Sequence, residues 1–253
     1  MKNKQIIPSN KVVKKSNALA RARWGIESVW EPRLVALLAS KIRRDDDDFK
    51  VYKIHISELL QSTSGSRGGQ DYRIIEQTID RVMSRVLTIR NNKGWVKYNV
   101  FSYCSFQSDN GILELGFHPD LKPHYLELKR HFCQYNLIEF LSLPSIYSQR
   151  LFEILKSWQD QIETIILLEE LYAMLDVSES LRSRYPDFRR KVLEKAHKDI
   201  TTLTELYYEW EPIKKGRKVT AIRFVFAKNK TQKLAKKKQQ KAQKTSSCSG
   251  QEL

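Results

Sequence analysis

The 253-residue sequence predicts an α+β fold in which one small unit is used twice. Three observations lead there. Segments with helical hydrophobic spacing alternate with segments of strand alternation. The order of those segments recurs: Glu58-Leu59 matches Glu170-Leu171 at an offset of 112, and Tyr72 matches Tyr185 at an offset of 113. Each copy also closes on two alternating strands joined by a turn.

The first copy starts with EPRLVALLASKI (31–42), whose Leu34, Leu37, Leu38 and Ile42 share one helical face. VYKIHISELL (51–60) alternates as a strand and runs into a short helix, followed by the polar stretch QSTSGSRGGQ. An amphipathic helix is expected from Asp71 to about Leu87, burying Ile74, Ile75, Thr78, Ile79, Val82, Met83 and Val86. A strand at GWVKYNVF and a return strand at GILELGF complete the copy, and HYLELKRHFCQYNLIEFLSLP (124–144) reads as a linking helix ending near Pro144. The second copy repeats the order. SIYSQRLFEILKSW (145–158) places Ile146, Tyr147, Leu151, Ile154, Leu155 and Trp158 on one face. TIILLEELYAML (164–175) gives strand and short helix, DVSESLRSR is polar, a helix spans 185–200, and the strands LYYEWEP and TAIRFVF close the unit. Helix, strand, helix, helix, strand, wing, strand is the order of a winged helix. The expected organisation is a basic arm (1–23), a first winged-helix domain with its linking helix (24–143), a second winged-helix domain (144–227) and a disordered Lys-rich tail (228–253).

The helix YPDFRRKVLEKAHKDI (185–200) carries the sharpest functional signal. At about 100° per residue, Tyr185, Phe188, Val192, Leu193, Ala196 and Ile200 form an apolar stripe. Arg184, Arg190, Lys191, Lys195 and Lys198 form a cationic ridge opposite, and Pro186 suits the first helical turn. In a helix-turn-helix derivative this second helix enters the major groove, where Arg and Lys reach guanine O6 and N7 or clamp phosphates. Arg189 lies near the stripe and either meets a carboxylate at the core edge or leaves the helix start towards a phosphate. Beside it, IKKGRK (213–218) gathers Lys214, Lys215, Arg217 and Lys218 around Gly216; a tight turn accounts for the glycine, and a nearby polyanion accounts for the charges. The corresponding helix of the first copy presents Arg73, Gln77, Arg81 and Arg85 beside Glu76 and Asp80, preceded by Arg67. Its mixed signs suit either a solvated surface or a groove-reading one.

The net charge of +16 is concentrated at the ends: +7 lies on residues 1–23, +7 on residues 228–253, and +2 on the body between them. The tail either solubilises the chain or attracts phosphates without sequence preference. No run of about 18 apolar residues predicts a membrane span. Cys104, Cys133 and Cys248 are widely spaced, as in a chain of the reducing cytoplasm. SGSRGG (64–69) lacks the GK[ST] of a phosphate-binding loop, and the five histidines contain no pair separated by one apolar residue, the metal-holding signature of rolling-circle nicking enzymes. The run DDDD (45–48) reads as a solvated turn. No catalytic constellation, metal or cofactor is expected.

YSQRLFEILKSW, RYPDFRRKVLEKAHKDI and KKGRKVTAIRFVF resemble the replication initiator (Rep) proteins of iteron-containing plasmids, and the resemblance extends over roughly residues 20–227. It implies two winged-helix domains that bind directly repeated origin sites, the iterons, as monomers. It further implies assisted opening of adjacent A+T-rich DNA and recruitment of the host initiator and replicative helicase. Dimers joined mainly through the first domain would bind an inverted repeat and repress the initiator's own gene. The same resemblance places Arg189 and Arg190 at the start of the major-groove helix and Lys214, Lys215 and Arg217 in the wing. A transcriptional repressor built on the same fold is the main alternative.

Overall fold

The computed structural model describes residues 7–60, 69–91 and 93–226. Arg67 and the Lys-rich tail, with its expected disorder, lie outside them. The chain begins with β1 (Val12–Ser16), α1 (Asn17–Ala20), β2 (Arg23–Trp24) and α2 (Trp30–Ala39). Next come β3 (Tyr52–His55), α3 (Ile56–Leu60), α4 (Gly69–Ser84), β4 (Val86–Asn91), β5 (Gly94–Asn99), β6 (Phe101–Gln107) and β7 (Ile112–Phe117). A 3₁₀ turn at Pro119–Leu121 leads into α5 (Lys122–Tyr125), β8 (Phe132–Asn136), α6 (Leu137–Ser142) and α7 (Ile146–Lys156). β9 (Glu163–Leu167), α8 (Leu168–Leu175), α9 (Glu179–Arg182) and α10 (Tyr185–Phe188) follow, then a π-helical turn over Arg189–Glu194, α11 (Lys195–Leu203), β10 (Tyr208–Lys215) and β11 (Lys218–Phe226).

The repeat is visible in the sheets. In the first unit the order is β3-β7-β6, and in the second β9-β11-β10, antiparallel throughout. Each is the small sheet of a winged helix, with the two later strands forming the wing. α2, α3 and α4 stand in the first unit where α7, α8 and α10–α11 stand in the second. The apolar spacing of the sequence is realised: Leu34, Leu37 and Leu38 of α2 and Leu151, Ile154 and Leu155 of α7 are all buried. One apolar cluster runs continuously through both units, from Ile7 to Phe226.

Four expectations are corrected. GWVKYNVF is not one strand of the first wing. Its residues fall in β5 and at the start of β6, and β5 pairs with β4, which pairs with β2, to form an additional sheet. The wing of the first unit is therefore β6–β7. Residues 124–144 are not one linking helix. Asn136 starts the separate helix α6, its side chain accepting from the Ile138 and Glu139 amides, after β8 has paired with β1. The basic arm is consequently not a free appendage, because Lys14, Lys15 and Ser16 are part of that pairing. Finally, the helix over 185–200 is not uniformly α-helical: a π turn occupies its middle.

The two units are joined by buried charge. Lys15 of β1 pairs with Glu153 of α7, which accepts from Tyr135 Oη of β8 at 2.6 Å and from Arg150 Nη1 at 2.7 Å. Arg150 Nη2 also donates to the carbonyl oxygens of Ala22 at 2.7 Å and Ala20 at 3.3 Å. Lys15, Arg150 and Glu153 are each less than 5% exposed, so the network holds the first strand to the first helix of the second unit. Burial alone would raise the Glu153 carboxyl, but Lys15 and Arg150 outweigh it and hold it below its ordinary range.

Candidate nucleic-acid interface

The helix over 185–203 seats on the second unit through one stripe. Phe188, Val192, Leu193, Ala196 and Ile200 are completely buried. Val192 and Leu193 face the core from within the π turn over Arg189–Glu194. Ser148 Oγ, from buried α7, donates to Asp199 Oδ2 at 2.6 Å, and His197 Nε2 meets the Tyr208 carbonyl at 2.9 Å. These contacts hold the helix against α7 on one side and β10 on the other.

Its outward side carries the predicted cations. Arg184, Arg189, Arg190, Lys191, Lys195 and Lys198 are all exposed. Among the described residues, Lys191, Lys195 and Lys198 have no ion-pair partner. Asp187, a partly buried carboxylate, is shared by the exposed guanidinium groups of Arg184 at 3.5 Å and Arg190 at 3.3 Å, long contacts that hold little energy. Arg189 donates from Nε to Glu194 Oε1 at 2.8 Å, and its guanidinium lies 5.9 Å from the centre of the Trp210 ring. The carboxylate it meets is thus one turn along its own helix, at the surface. Trp210 was not singled out from the sequence; it links the helix to β10, the first strand of the wing.

The wing is a two-residue hairpin. Gly216 has φ +63°, Arg217 does not, and Lys215 pairs with Lys218 across the end, the pattern of a type II′ turn. Lys214, Lys215, Arg217 and Lys218 are exposed around it with no carboxylate paired to them among the described residues. Further down the strands, Arg223 bridges Glu163 and Glu211, so that cation is neutralised within the sheet.

The first unit differs. Arg73 and Gln77 are exposed on α4. Arg81 is half-buried with Nε 3.5 Å from Glu27, and Arg85 pairs with Glu27 and approaches Glu31 at 3.7 Å. The Arg81–Glu27 contact, at 3.5 Å with the carboxylate exposed, is no tighter than that of Arg190 with Asp187, whereas Arg85 is held more closely. The turn of the first wing is Ser108-Asp109-Asn110-Gly111, with no cation. What this unit does expose is apolar: Trp95, Val96, Tyr103 and Phe106 on β5 and β6, with Trp95 57% exposed. Among the described residues no helix is long and apolar enough to cross a membrane, and no cluster of three metal-ligating side chains forms.

Two winged helices in tandem, the second offering a cationic helix beside a cationic wing, define a protein of the nucleic-acid-binding class. The particular kind follows from comparison with known families. Residues 12–156 match the first winged-helix domain of the initiator replication protein family, and residues 167–226 match the second winged-helix domain of initiator Rep proteins. The chain belongs to this initiator replication protein family. Its fold is similar to that of Pi initiator protein, crystallised in complex with iteron DNA, with TM-score 0.70 and 19% identity over 88% of this chain and 100% of that one. A structure of domains 2 and 3 of RctB is also similar, with TM-score 0.50 and 14% identity over 89% of this chain and 94% of that one.

Proposed function

We propose that this initiator binds double-stranded DNA sequence-specifically at direct repeats of a plasmid origin. The observation that carries the reading is the unpaired ridge of Lys191, Lys195 and Lys198, with Arg190, on a helix whose other side is buried, next to a wing of Lys214, Lys215, Arg217 and Lys218. The helix would enter the major groove, with Arg184, Arg189 and Arg190 near its start, and the wing would follow the phosphates. Membership of the initiator family and similarity to a protein crystallised on iteron DNA support the same reading.

The domains divide the work near residue 143. The second reads the repeat. The first contributes Arg73, Gln77 and Arg81 to DNA and supplies the dimer surface through its exposed strands β5 and β6, which carry Trp95, Val96, Tyr103 and Phe106. Monomers would occupy direct repeats; dimers would bind an inverted repeat and repress the chain's own gene. Opening of A+T-rich DNA would draw on binding energy and deformable sequence, without a catalysed step or cofactor, in the bacterial cytoplasm. The host initiator and replicative helicase would then be recruited.

The test is replication of a vector that lacks its own initiator, carrying the repeats, with this gene supplied. Replication abolished by a Lys191/Lys195/Lys198→Ala triple variant supports the proposal. Repression without replication would leave a transcriptional repressor.

A further inference from the structure

A cleft of about 1010 Å³ lies between the two units. Its walls come from α1 and β2, β4 and β8 on one side, and from the end of α7 and from α8 on the other. At its base Arg21 lies flat on Trp158, its guanidinium carbon 3.3 Å from the ring centre. Arg21 Nε–H donates to Ser157 Oγ and Nη2–H to the Ser157 carbonyl, both at 2.8 Å. No carboxylate pairs with it among the described residues, and Nη1 has no hydrogen-bond partner there. Burial lowers its pKa to about 10, with only the Cys133 thiol acting in the other direction. A half-buried cation without a counter-charge is costly, and an anion relieves that cost. Around the mouth stand Arg90, which has no ion pair among the described residues, His131 and Arg23, the last paired with Asp176 at 3.1 Å. Asp160 and Glu170 also line the cleft, and neither forms an ion pair with Arg21.

We propose that this cleft is a binding site for a small phosphate-bearing ligand of nucleotide size, its phosphate on Arg21 and its charge completed by Arg90. The guanidinium is already oriented by the Ser157 contacts and the indole, so little ordering remains to be done on binding. The volume is at the upper end of small-ligand pockets, about 300–1,000 Å³, and the guanidinium within it is half-buried. Because Arg21 belongs to the first unit and Ser157–Trp158 to the second, an occupant touches both. It would therefore bias their relative placement, and with it the spacing of the two DNA-facing helices.

The experiment is calorimetric titration of the full chain with pyrophosphate and with ATP, at constant ionic strength and low chloride. One-to-one saturable binding is expected. Arg21→Gln should weaken it by at least about tenfold, Arg21→Lys by less, and Arg90→Gln by about threefold. Lys195→Gln should leave it unchanged. Should Arg21→Gln not fold, Arg21→Lys and Arg90→Gln carry the comparison. Absence of binding to both probes, or equal binding by the Arg21 and Arg90 variants, overturns the proposal. So does weakened binding of Arg21→Gln to duplex repeats with no small anion present, which would make Arg21 a DNA contact.

Discussion

Arg190 is 71% exposed on its helix, and its nearest carboxylate, Asp187, is shared with Arg184. A guanidinium held this loosely can exchange its partner for a base edge. Arg190→Ala should therefore cost about 1–3 kcal/mol of binding and relax selectivity at one base pair. A loss uniform over all sequences, measured by competition with mutated repeats, would instead assign it to a phosphate. Glu153 is the opposite kind of residue: buried, ionised and surrounded by Lys15, Arg150 and Tyr135. Replacing it by Gln leaves two buried cations without an anion, and unfolding in urea should show a loss of about 3–5 kcal/mol. Its pH dependence has a defined sign. The carboxyl titrates below its ordinary value of 4.5 in the folded state, so its contribution is present above that value and is lost as pH falls through the folded pKa. Urea midpoints should drop below about pH 4.5 in the wild type and be flatter in Glu153→Gln. The cations of the ridge were legible from spacing alone. Glu153 was not, because nothing in a sequence says that Lys15 and Glu153 will meet.

Among the elements, the second wing depends on one backbone conformation. Gly216 has φ +63° and no atom within 4 Å of where a Cβ would stand, so a substitution there is opposed by backbone strain and not by crowding. Gly216→Val should cost about 1–2 kcal/mol and Gly216→Asn less, since Asn tolerates the left-handed region. DNA affinity should fall in the same order with selectivity unchanged, because the wing holds phosphates; a filter-binding series over matched and mismatched repeats reads both. The helices α2, α7 and α11 were legible through their apolar faces, as was the wing through its glycine and lysines. The extra hairpin β4–β5 was not. VLTIRNNKGWVKYN alternates in the manner of any exposed hairpin, and its place depends on β2, two residues whose pairing with Thr88 and Leu87 no local pattern announces. The π turn was hidden as well, because the apolar stripe including Val192 and Leu193 fits ordinary α-helical spacing.

At the scale of the whole molecule, the N-terminal strand is the notable arrangement. β1 pairs with β8 and places Lys15 on Glu153, so the first strand helps fasten the second unit to the first. Deleting residues 1–16 should leave Glu153 short of one cation and expose the β8 edge, lowering stability by roughly 3–5 kcal/mol and splitting one unfolding transition into two. Differential scanning calorimetry distinguishes that from a free arm, whose removal would change only salt-dependent DNA affinity. The duplicated winged helix, the cationic helix and wing, and the absence of a phosphate-loop signature followed from the sequence itself, because hydrophobic period, turn chemistry and charge are local properties that survive in any context. Which strand completes which sheet, which arginines remain free and which are tied to Glu27, and how Arg21 came to stand uncompensated over Trp158 were decided by the tertiary structure alone. Those outcomes are set by pairings between residues far apart in the chain, from Glu27 with Arg81 to Arg21 with Ser157, where loop closure and burial determine the partner and no short pattern encodes it.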